Sequence, residues 1–125
     1  MRLVRRLRAE KSDESLTLTQ LSALASINRH GPLSPTALAE RERVQPPSMT
    51  RVIAVLEGRG LVGRTPHPSD RRQSVITVTP AGEALLAEDR RRREAWLARA
   101  IAGLEEHERD VLRAAAPIIE RLGSA

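Results

Sequence analysis

The sequence predicts a mainly α fold that includes one two-stranded β-hairpin. Apolar residues recur at helical spacing through most of the chain. The core must be built from Leu, Val, Ile and Ala, because Trp96 is the only Trp and there is no Phe or Tyr, and such side chains suit helix-on-helix packing. Two short β-branched runs separated by a turn-rich segment predict the hairpin. The length of 125 residues fits one domain.

The chain begins with two predicted helices. Residues 2–10 form the first, and its apolar stripe consists of Leu3, Val4 and Leu7. Residues 11–15, KSDES, are typical of a loop. The second helix opens at Thr17, which matches the capping-box pattern with Gln20. It ends at Gly31-Pro32, a pair that stops helices.

Two shorter helices joined by a tight turn follow. Ser34 as N-cap and Pro35 at the first helical position begin one of them. Pro46 and Pro47 begin the other, since proline fits in a first turn where no backbone donor is needed, and the segment 58–60 with its two glycines ends it. The predicted buried stripe of this helix is Met49, Val52, Ile53 and Leu56, and its outward residues are Pro47, Ser48, Thr50 and Arg51.

A hairpin and two long helices complete the chain. The predicted strands are LVGRT, 61–65, and SVITV, 74–78, with a long loop between them. Thr79-Pro80 opens a helix that runs to about Gly103, and a final helix runs from about Glu105 to Leu122. Pro117 inside the final helix predicts a kink. The apolar face of this helix consists of Val111, Leu112, Ala115 and Ile119.

Positive charge is concentrated in two blocks of the chain, whose formal net charge is +5. Residues 1–11 carry four Arg and one Lys against one Glu, and residues 41–72 carry seven Arg against three acidic residues. Such clustering is typical of a protein that binds a polyanion. A further basic run, residues 88–95, is interpreted instead as a solvated helix face with i, i+4 pairs such as Asp89–Arg93.

The composition argues against several other functions. The absence of Cys excludes disulfides and thiolate metal sites. His30, His67 and His107 are far apart in the sequence, and the chain lacks the short motifs of hydrolases, P-loop proteins and dinucleotide-binding enzymes. We therefore expect no catalysis, no cofactor and no metal. No apolar run approaches the roughly 18 residues of a membrane span, and the first residues lack the apolar stretch of a signal peptide. We therefore expect a cytoplasmic protein without membrane partners.

The two short helices before the hairpin predict a helix-turn-helix. A helix fits the major groove of DNA, so its exposed first turns bring side chains to base edges, and its N-terminal donors favour a phosphate. Helix capping is the alternative role for the hydroxyl residues, and it is the primary role expected for Ser34. The candidate DNA-binding residues of these helices are Ser34, Thr36, Gln45, Pro47, Ser48, Thr50 and Arg51.

The hairpin loop carries Asp70 beside Arg71 and Arg72. Guanidinium groups in a solvated turn add little to folding, but a hairpin directly after a recognition helix is a wing, whose tip reaches the adjacent minor groove. Arg suits a narrow, electronegative groove because its planar fork is weakly hydrated. We therefore predict that Arg71 and Arg72 bind DNA and that Asp70 orients Arg72 through an ion pair.

Two segments, SPTALAERERVQPPSMTRVIAVLEGRGLV and SDRRQSVITVTPAGEALL, resemble the MarR family of winged helix-turn-helix bacterial regulators. The resemblance covers roughly residues 16–90. The family's wing pattern, Asp-x-Arg followed seven residues later by Thr, is met by Asp70, Arg72 and Thr79. The family places this Arg in the minor groove and braces it with the Asp. The resemblance implies those roles for Arg72 and Asp70.

The resemblance implies a ligand-responsive repressor that binds a pseudo-palindromic operator in double-stranded DNA as a homodimer. It implies a single MarR-like domain over 1–125, with a DNA-binding part at about 17–80, dimerisation helices at about 1–12 and 80–125, and a small-molecule effector bound between these parts. Self-association is also expected from the long apolar faces of the last two helices. The first helix is shorter than the family's, and the absence of Cys excludes the family's peroxide-sensing branch.

Two alternatives remain open from the sequence. One is a winged-helix module that binds protein or RNA without sequence-specific recognition of duplex DNA. The other is a DNA-binding protein that takes no ligand, because side chains close the space where an effector would bind. The basic residues of the hairpin loop discriminate against the first alternative only if they contact a duplex.

Overall fold

The computed structural model describes residues 1–11 and 15–125, so most of the loop predicted for residues 11–15 lies outside the described residues. The predicted order of helices and hairpin is confirmed, and the fold is mainly α. In chain order the described elements are α1 (Arg2–Ala9), α2 (Leu18–His30), α3 (Pro35–Glu42), α4 (Pro46–Gly58), β1 (Val62–Pro66), β2 (Ser74–Val78), α5 (Pro80–Ala102) and α6 (Glu106–Ser124).

The helices α2 and α3 begin at the capping residues that the sequence indicates. Thr17 Oγ1 accepts a hydrogen bond from Gln20 N at 3.1 Å, and Gln20 Oε1 accepts one from Thr17 N at 2.9 Å, which closes the predicted capping box. Ser34 Oγ accepts a hydrogen bond from Ala37 N at 3.1 Å. Each cap satisfies a backbone donor that the first turn of a helix leaves without an intrahelical partner.

The antiparallel hairpin is joined to the helices by a further backbone pairing. Val62, the first residue of β1, lies opposite Val78, the last residue of β2, at the end of the hairpin that adjoins the helices. Leu33, which lies between α2 and α3, donates from its N to Ile76 O at 3.2 Å and accepts from Ile76 N at 2.7 Å. The sequence did not predict this bridge, because a single paired residue has no periodicity. The bridge holds β2 beside the start of α3.

Residues 11–91 form one compact unit whose apolar core is shared by α2, α3, α4 and the hairpin. Three of the four residues in the predicted α4 stripe are buried, and the fourth, Val52, is packed partly buried against the core. The opposite side of α4 is therefore left exposed. The fully buried apolar side chains of the unit are Leu16, Leu24, Ile27, Leu38, Met49, Ile53, Leu56 and Ile76.

The prediction that residues 88–95 form a solvated helix face is wrong for Asp89, which is 1% exposed. Asp89 follows Gly82, Leu85 and Leu86 at helical spacing, and these residues share the face of α5 that is covered within the 11–91 unit. The run of charged residues gave no sign that Asp89 points inward, because the helical period, rather than the polarity of the neighbouring residues, decides which side of α5 is buried. The neighbouring Arg90 and Arg91 are exposed, and Arg91 pairs with Glu88.

Residues 1–10 and 92–125 form a second compact unit. Within it, Arg6 Cζ lies 5.1 Å from the centroid of the Trp96 ring, within the range of a cation–π contact. The apolar face of α6 is open, since Val111 is 64% and Ile119 60% exposed. No helix within residues 1–11 and 15–125 is long and apolar enough to cross a membrane.

Gly82→Ala is expected to destabilise the protein, although Ala favours a helix over Gly by about 1 kcal/mol. A Cβ at this position would lie 2.3 Å from Leu61 O and 2.8 Å from Val78 Cγ1, so α5 would have to move away from the hairpin. We expect the free energy of unfolding, measured by urea denaturation, to fall by about 1–3 kcal/mol. Gly58→Ala is the control, because a Cβ there meets no heavy atom within 4 Å. Equal effects of the two substitutions would contradict this packing.

Candidate nucleic-acid interface

Residues 43–45 form the tight turn between α3 and α4. Arg43 has the left-handed conformation, with φ 54° and ψ 45°, and its N–H donates to the carbonyls of Ala39 and Glu40. Val44 N donates to Ala39 O at 3.0 Å, so the chain reverses as soon as α3 ends. After this turn, α4 packs one face on the core and leaves the other face in solvent.

The exposed face of α4 carries the candidate residues of the second helix. Pro47, Thr50 and Arg51 are exposed, and Ser48 is partly exposed. Thr50 Oγ1 donates to Pro46 O at 3.0 Å, and Arg51 Nη2 donates to Ser48 Oγ at 3.4 Å. The latter contact holds the guanidinium over the first turn of the helix. The N-cap residue, Gln45, is exposed and does not use its side chain to cap the helix.

Ser34 and Thr36 lie at the start of α3. The hydroxyl of Ser34 caps the helix, as expected for its primary role. Thr36 is exposed in the first turn. The positive end of the helix dipole is at this terminus, so a negatively charged group approaching it is favoured.

The hairpin loop orients Arg72 through Asp70. Asp70 Oδ1 accepts from Arg72 N at 3.0 Å and from Arg72 Nε at 3.2 Å, and Oδ2 accepts from Arg72 Nη2 at 3.4 Å. The side chain of Arg72 is 92% exposed, whereas that of Asp70 is 29% exposed. Hydrogen bonds from the side chain and then the backbone of Arg72 hold the pKa of Asp70 below its usual 3.8. The carboxylate thus braces the guanidinium and leaves most of it in solvent.

Backbone hydrogen bonds close the hairpin loop below these side chains. Gln73 N donates to Asp70 O at 3.0 Å, and His67 N donates to Gln73 O at 3.1 Å. His67 Nδ1 accepts from Ser69 N at 3.2 Å. Arg71 is exposed on the same loop. The hairpin loop therefore holds two adjacent exposed arginines, Arg71 and Arg72, and Asp70 fixes the position of the second.

The structure brings the candidate residues at the start of α3 together with the hairpin loop, and keeps the candidate residues of α4 apart from both. An open groove of about 670 Å³ is lined by Ser34 and Thr36 from the start of α3 and by Arg72 from the hairpin loop. Gln73 and Ser74 complete the hairpin side of this groove. The exposed residues of α4 do not line it, so α4 presents a separate surface.

The contacts of two carboxylates in this unit were missed by the sequence analysis. Glu42, at the end of α3, accepts hydrogen bonds from the hydroxyls of Ser22, at 2.8 Å, and Ser26 in α2. Glu57, in the last turn of α4, pairs with Arg64 of β1 at 2.8 Å. The partners lie on different elements, so no periodicity or short motif marks them.

Two packed helices joined by a tight turn, followed by a hairpin that exposes a braced arginine, define a winged helix-turn-helix protein. The model of the MarR family matches residues 16–74. An HTH-type transcriptional regulator of Mycobacterium tuberculosis is 49% identical over 119 residues, which cover 95% of this chain and 83% of that protein. The HTH-type transcriptional repressor MdtR of Bacillus subtilis is 35% identical over 95 residues, 76% of this chain and 61% of that protein. The chain belongs to the MarR family.

Solved structures share the fold. Rv1404 from Mycobacterium tuberculosis has a TM-score of 0.90 at 28% identity, over 98% of this chain and 86% of that one. A point mutant of Staphylococcus aureus MepR bound to an oligodeoxyribonucleotide has a TM-score of 0.77 at 18% identity, over 98% and 89%. Bordetella bronchiseptica BpsR, whose DNA binding is regulated by 6-hydroxynicotinic acid, has a TM-score of 0.65 at 26% identity, over 99% and 86%. The predicted fold and family are confirmed, and the protein is a DNA-binding transcriptional regulator rather than an enzyme.

The charge of Asp70 should stabilise the hairpin loop at neutral pH and be lost in acid. Because the pKa of Asp70 is lowered from its usual 3.8 in the folded protein, this contribution is present above that value and disappears as the pH falls through the lowered pKa. We expect the carboxyl resonance of Asp70 to titrate below pH 3.8 in NMR spectra, with the Arg72 Nε resonance shifting over the same range. Asp70→Asn should abolish the Arg72 transition. A midpoint at or above 3.8 would contradict the bracing contact.

Proposed function

We propose that the protein is a ligand-responsive repressor that binds a pseudo-palindromic operator in double-stranded DNA as a homodimer. The observation that carries this proposal is Arg72, 92% exposed at the wing tip and braced by Asp70. An exposed ion pair adds little to stability, so folding alone does not account for a guanidinium held in this way. Membership in the MarR family, and a relative named as a repressor, support the assignment.

In this proposal α4 is the recognition helix and enters the major groove. Arg51 is the long donor on its exposed face and suits the acceptor edge of a guanine or a phosphate. Ser48 and Thr50 are short polar residues that allow the helix to approach the bases closely. Gln45 and Pro47 lie at the helix start, the end that contacts base edges in helix-turn-helix proteins.

The wing and the start of α3 contact the DNA beside the recognition helix. Arg72 is assigned to the minor groove, whose narrow regions attract guanidinium groups, and Arg71 to the adjoining backbone. Ser34 and Thr36 are assigned to a phosphate at the N-terminus of α3. These two residues line the same groove as Arg72. One strand of the duplex can therefore contact both the start of α3 and the wing.

A second copy of the chain covers the open face of α6 in this proposal. Contiguous exposed apolar patches mark interaction sites. A two-fold dimer places two recognition helices in successive major grooves about 34 Å apart, which requires a pseudo-palindromic operator. The exposed apolar residues of α6 are Val111, Leu112, Ile118, Ile119 and Leu122.

Ligand control follows if a small molecule binds one spacing of the two DNA-binding parts better than another, because it then shifts the population away from the operator-binding state. The regulation of BpsR by a small molecule supports this assignment. We also propose the division into a DNA-binding part at about 17–80 and dimerisation helices at about 1–12 and 80–125, and an action in the cytoplasm, where bacterial DNA is located.

Selection of bound duplexes from a random DNA library tests the proposal. We expect enrichment of an inverted repeat, and we expect Arg72→Ala to reduce affinity for it by about 1–3 kcal/mol in fluorescence anisotropy titrations. The logarithm of the affinity should fall with the logarithm of the salt concentration, by about 0.9 per neutralised phosphate.

Arg71→Ala is the matched control, since it removes the same charge from the adjacent position. An equal loss in both variants would show that charge, rather than insertion of Arg72, matters at the wing tip. No enrichment at low salt from a folded protein would overturn DNA recognition in favour of a protein- or RNA-binding module.

Ile119→Glu should separate the dimer and thereby weaken operator binding. A charge in the open face of α6, where Ile119 is 60% exposed, would have to be desolvated in the interface. We expect sedimentation velocity to show monomers at concentrations where the parent is dimeric. Arg113→Gln changes the net charge by the same amount on the other side of α6 and should remain dimeric. A dimeric Ile119→Glu variant would rule out this face as the interface.

A further inference from the structure

We propose that Glu57 and Arg64 are positioning residues that set the angle between the wing and the recognition helix. The inference rests on the proposed function, because the angle matters only if the wing contacts DNA. Arg64 Nε and Nη2 lie 2.9 and 2.8 Å from Glu57 Oε1, and Arg64 Nη1 donates to Ser74 Oγ at 3.4 Å. One guanidinium therefore links the last turn of α4 to both strands of the hairpin. We call this set of three residues the wing link.

Arg64 lies on the side of the hairpin that faces the core. It is opposite Ile76 in the strand pairing, and directly opposed residues project to the same face of a sheet. Ile76 is fully buried, and Val62, two residues before Arg64 on the same strand, is 4% exposed. Arg64 itself is exposed. The wing link is thus placed where the apolar packing of the hairpin ends and its outer part begins.

The outer part of the hairpin acts as a lever. Arg72 precedes the buried Ile76 by four residues, a span of at most about 13 Å at 3.3 Å per residue. A rotation of about 10° at the base would therefore move the tip by about 2 Å, which is more than a hydrogen bond tolerates. A contact at the end of the packed region is the place where such a rotation is resisted most directly.

The chemistry of the pair fits a positioning role better than a stabilising or DNA-contacting one. Glu57 adds a negative charge beside a surface proposed to bind a polyanion, which by itself opposes binding. The two side chains, Arg64 and Glu57, are 41% and 31% exposed, so the pair contributes little to folding stability. Arg64 directs two of its nitrogens at Glu57, which leaves it poorly placed to contact a phosphate.

The sign of the effect of Glu57→Gln tests the inference. If Glu57 acts only through its charge, neutralising it should strengthen operator binding. If it positions the wing, the loss of the wing link should weaken binding, and we expect a loss of about 5- to 10-fold (about 1–1.4 kcal/mol at 1.4 kcal/mol per tenfold). Glu83→Gln is the matched control, since it removes the same charge from an exposed site in the first turn of α5, and it should leave affinity unchanged or slightly higher.

The reversed pair, Glu57→Arg with Arg64→Glu, tests whether the link rather than either residue matters. We expect Arg64→Gln to weaken binding like Glu57→Gln, and the reversed pair to recover at least half of the lost free energy of binding. Stronger or unchanged binding by Glu57→Gln would overturn the inference. A reversed pair as weak as Arg64→Gln would also overturn it, and would identify Arg64 as a direct DNA contact.

A spin label at the wing tip gives a readout that does not require DNA. The chain contains no Cys, so Ser69→Cys, at an exposed position of the hairpin loop, provides a unique labelling site. We expect Glu57→Gln to broaden the range of label positions, seen as increased nitroxide mobility, with an unchanged thermal midpoint of unfolding. An unchanged spectrum would contradict a positioning role.

The Arg72→Ala variant separates failure of this inference from failure of the proposed function. If Arg72→Ala weakens operator binding and Glu57→Gln does not, the wing contacts DNA but the wing link does not position it. If neither variant affects binding, the wing does not contact the operator, and both proposals are wrong.

Discussion

The backbone pairing of Leu33 with Ile76 is the constraint on which the rest of the 11–91 unit depends. Ile76 belongs to the apolar core, and its N–H and C=O both bond to the segment between α2 and α3. The hairpin can therefore move neither away from the core nor along it without losing two buried hydrogen bonds. This fixes the wing beside the start of α3, so Ser34, Thr36 and Arg72 line one groove.

The three acidic residues within the basic block at 41–72 are all used as braces. Glu42 ties α3 to α2, Glu57 ties α4 to the hairpin through Arg64, and Asp70 orients Arg72. A charge count treats them as subtracting from the attraction for a polyanion. Their contacts show instead that each holds an element or a guanidinium in place. In this unit burial of apolar side chains provides the stability, and charged contacts set geometry.

The two exposed faces of the protein differ in chemistry, and this difference separates their roles. The open side of α4 carries proline, short hydroxyl residues and one arginine, which suit close approach to DNA. The open side of α6 carries Val, Leu and Ile, which are costly to leave in water. This difference is why the proposed function places DNA on the first face and a second copy of the chain on the second.

The sequence by itself determined the features that depend on neighbours a few residues apart. Helix starts at Thr17 and Ser34 follow from hydroxyl groups that bond within one turn, and the α4 stripe follows from the 3.6-residue period. The contact of Asp70 with Arg72 was also predictable, because the two residues are two positions apart in one loop.

Only the tertiary structure decided the contacts between distant segments. The Leu33–Ile76 bridge, the hold of Glu42 on α2 and the wing link each join residues on different elements, so their formation depends on how the helices and hairpin pack. The burial of Asp89 was decided in the same way, since local polarity indicated solvent and packing placed it inside. Local sequence determines which elements form. The distances and directions between them arise from burying one shared core, and no short pattern encodes that.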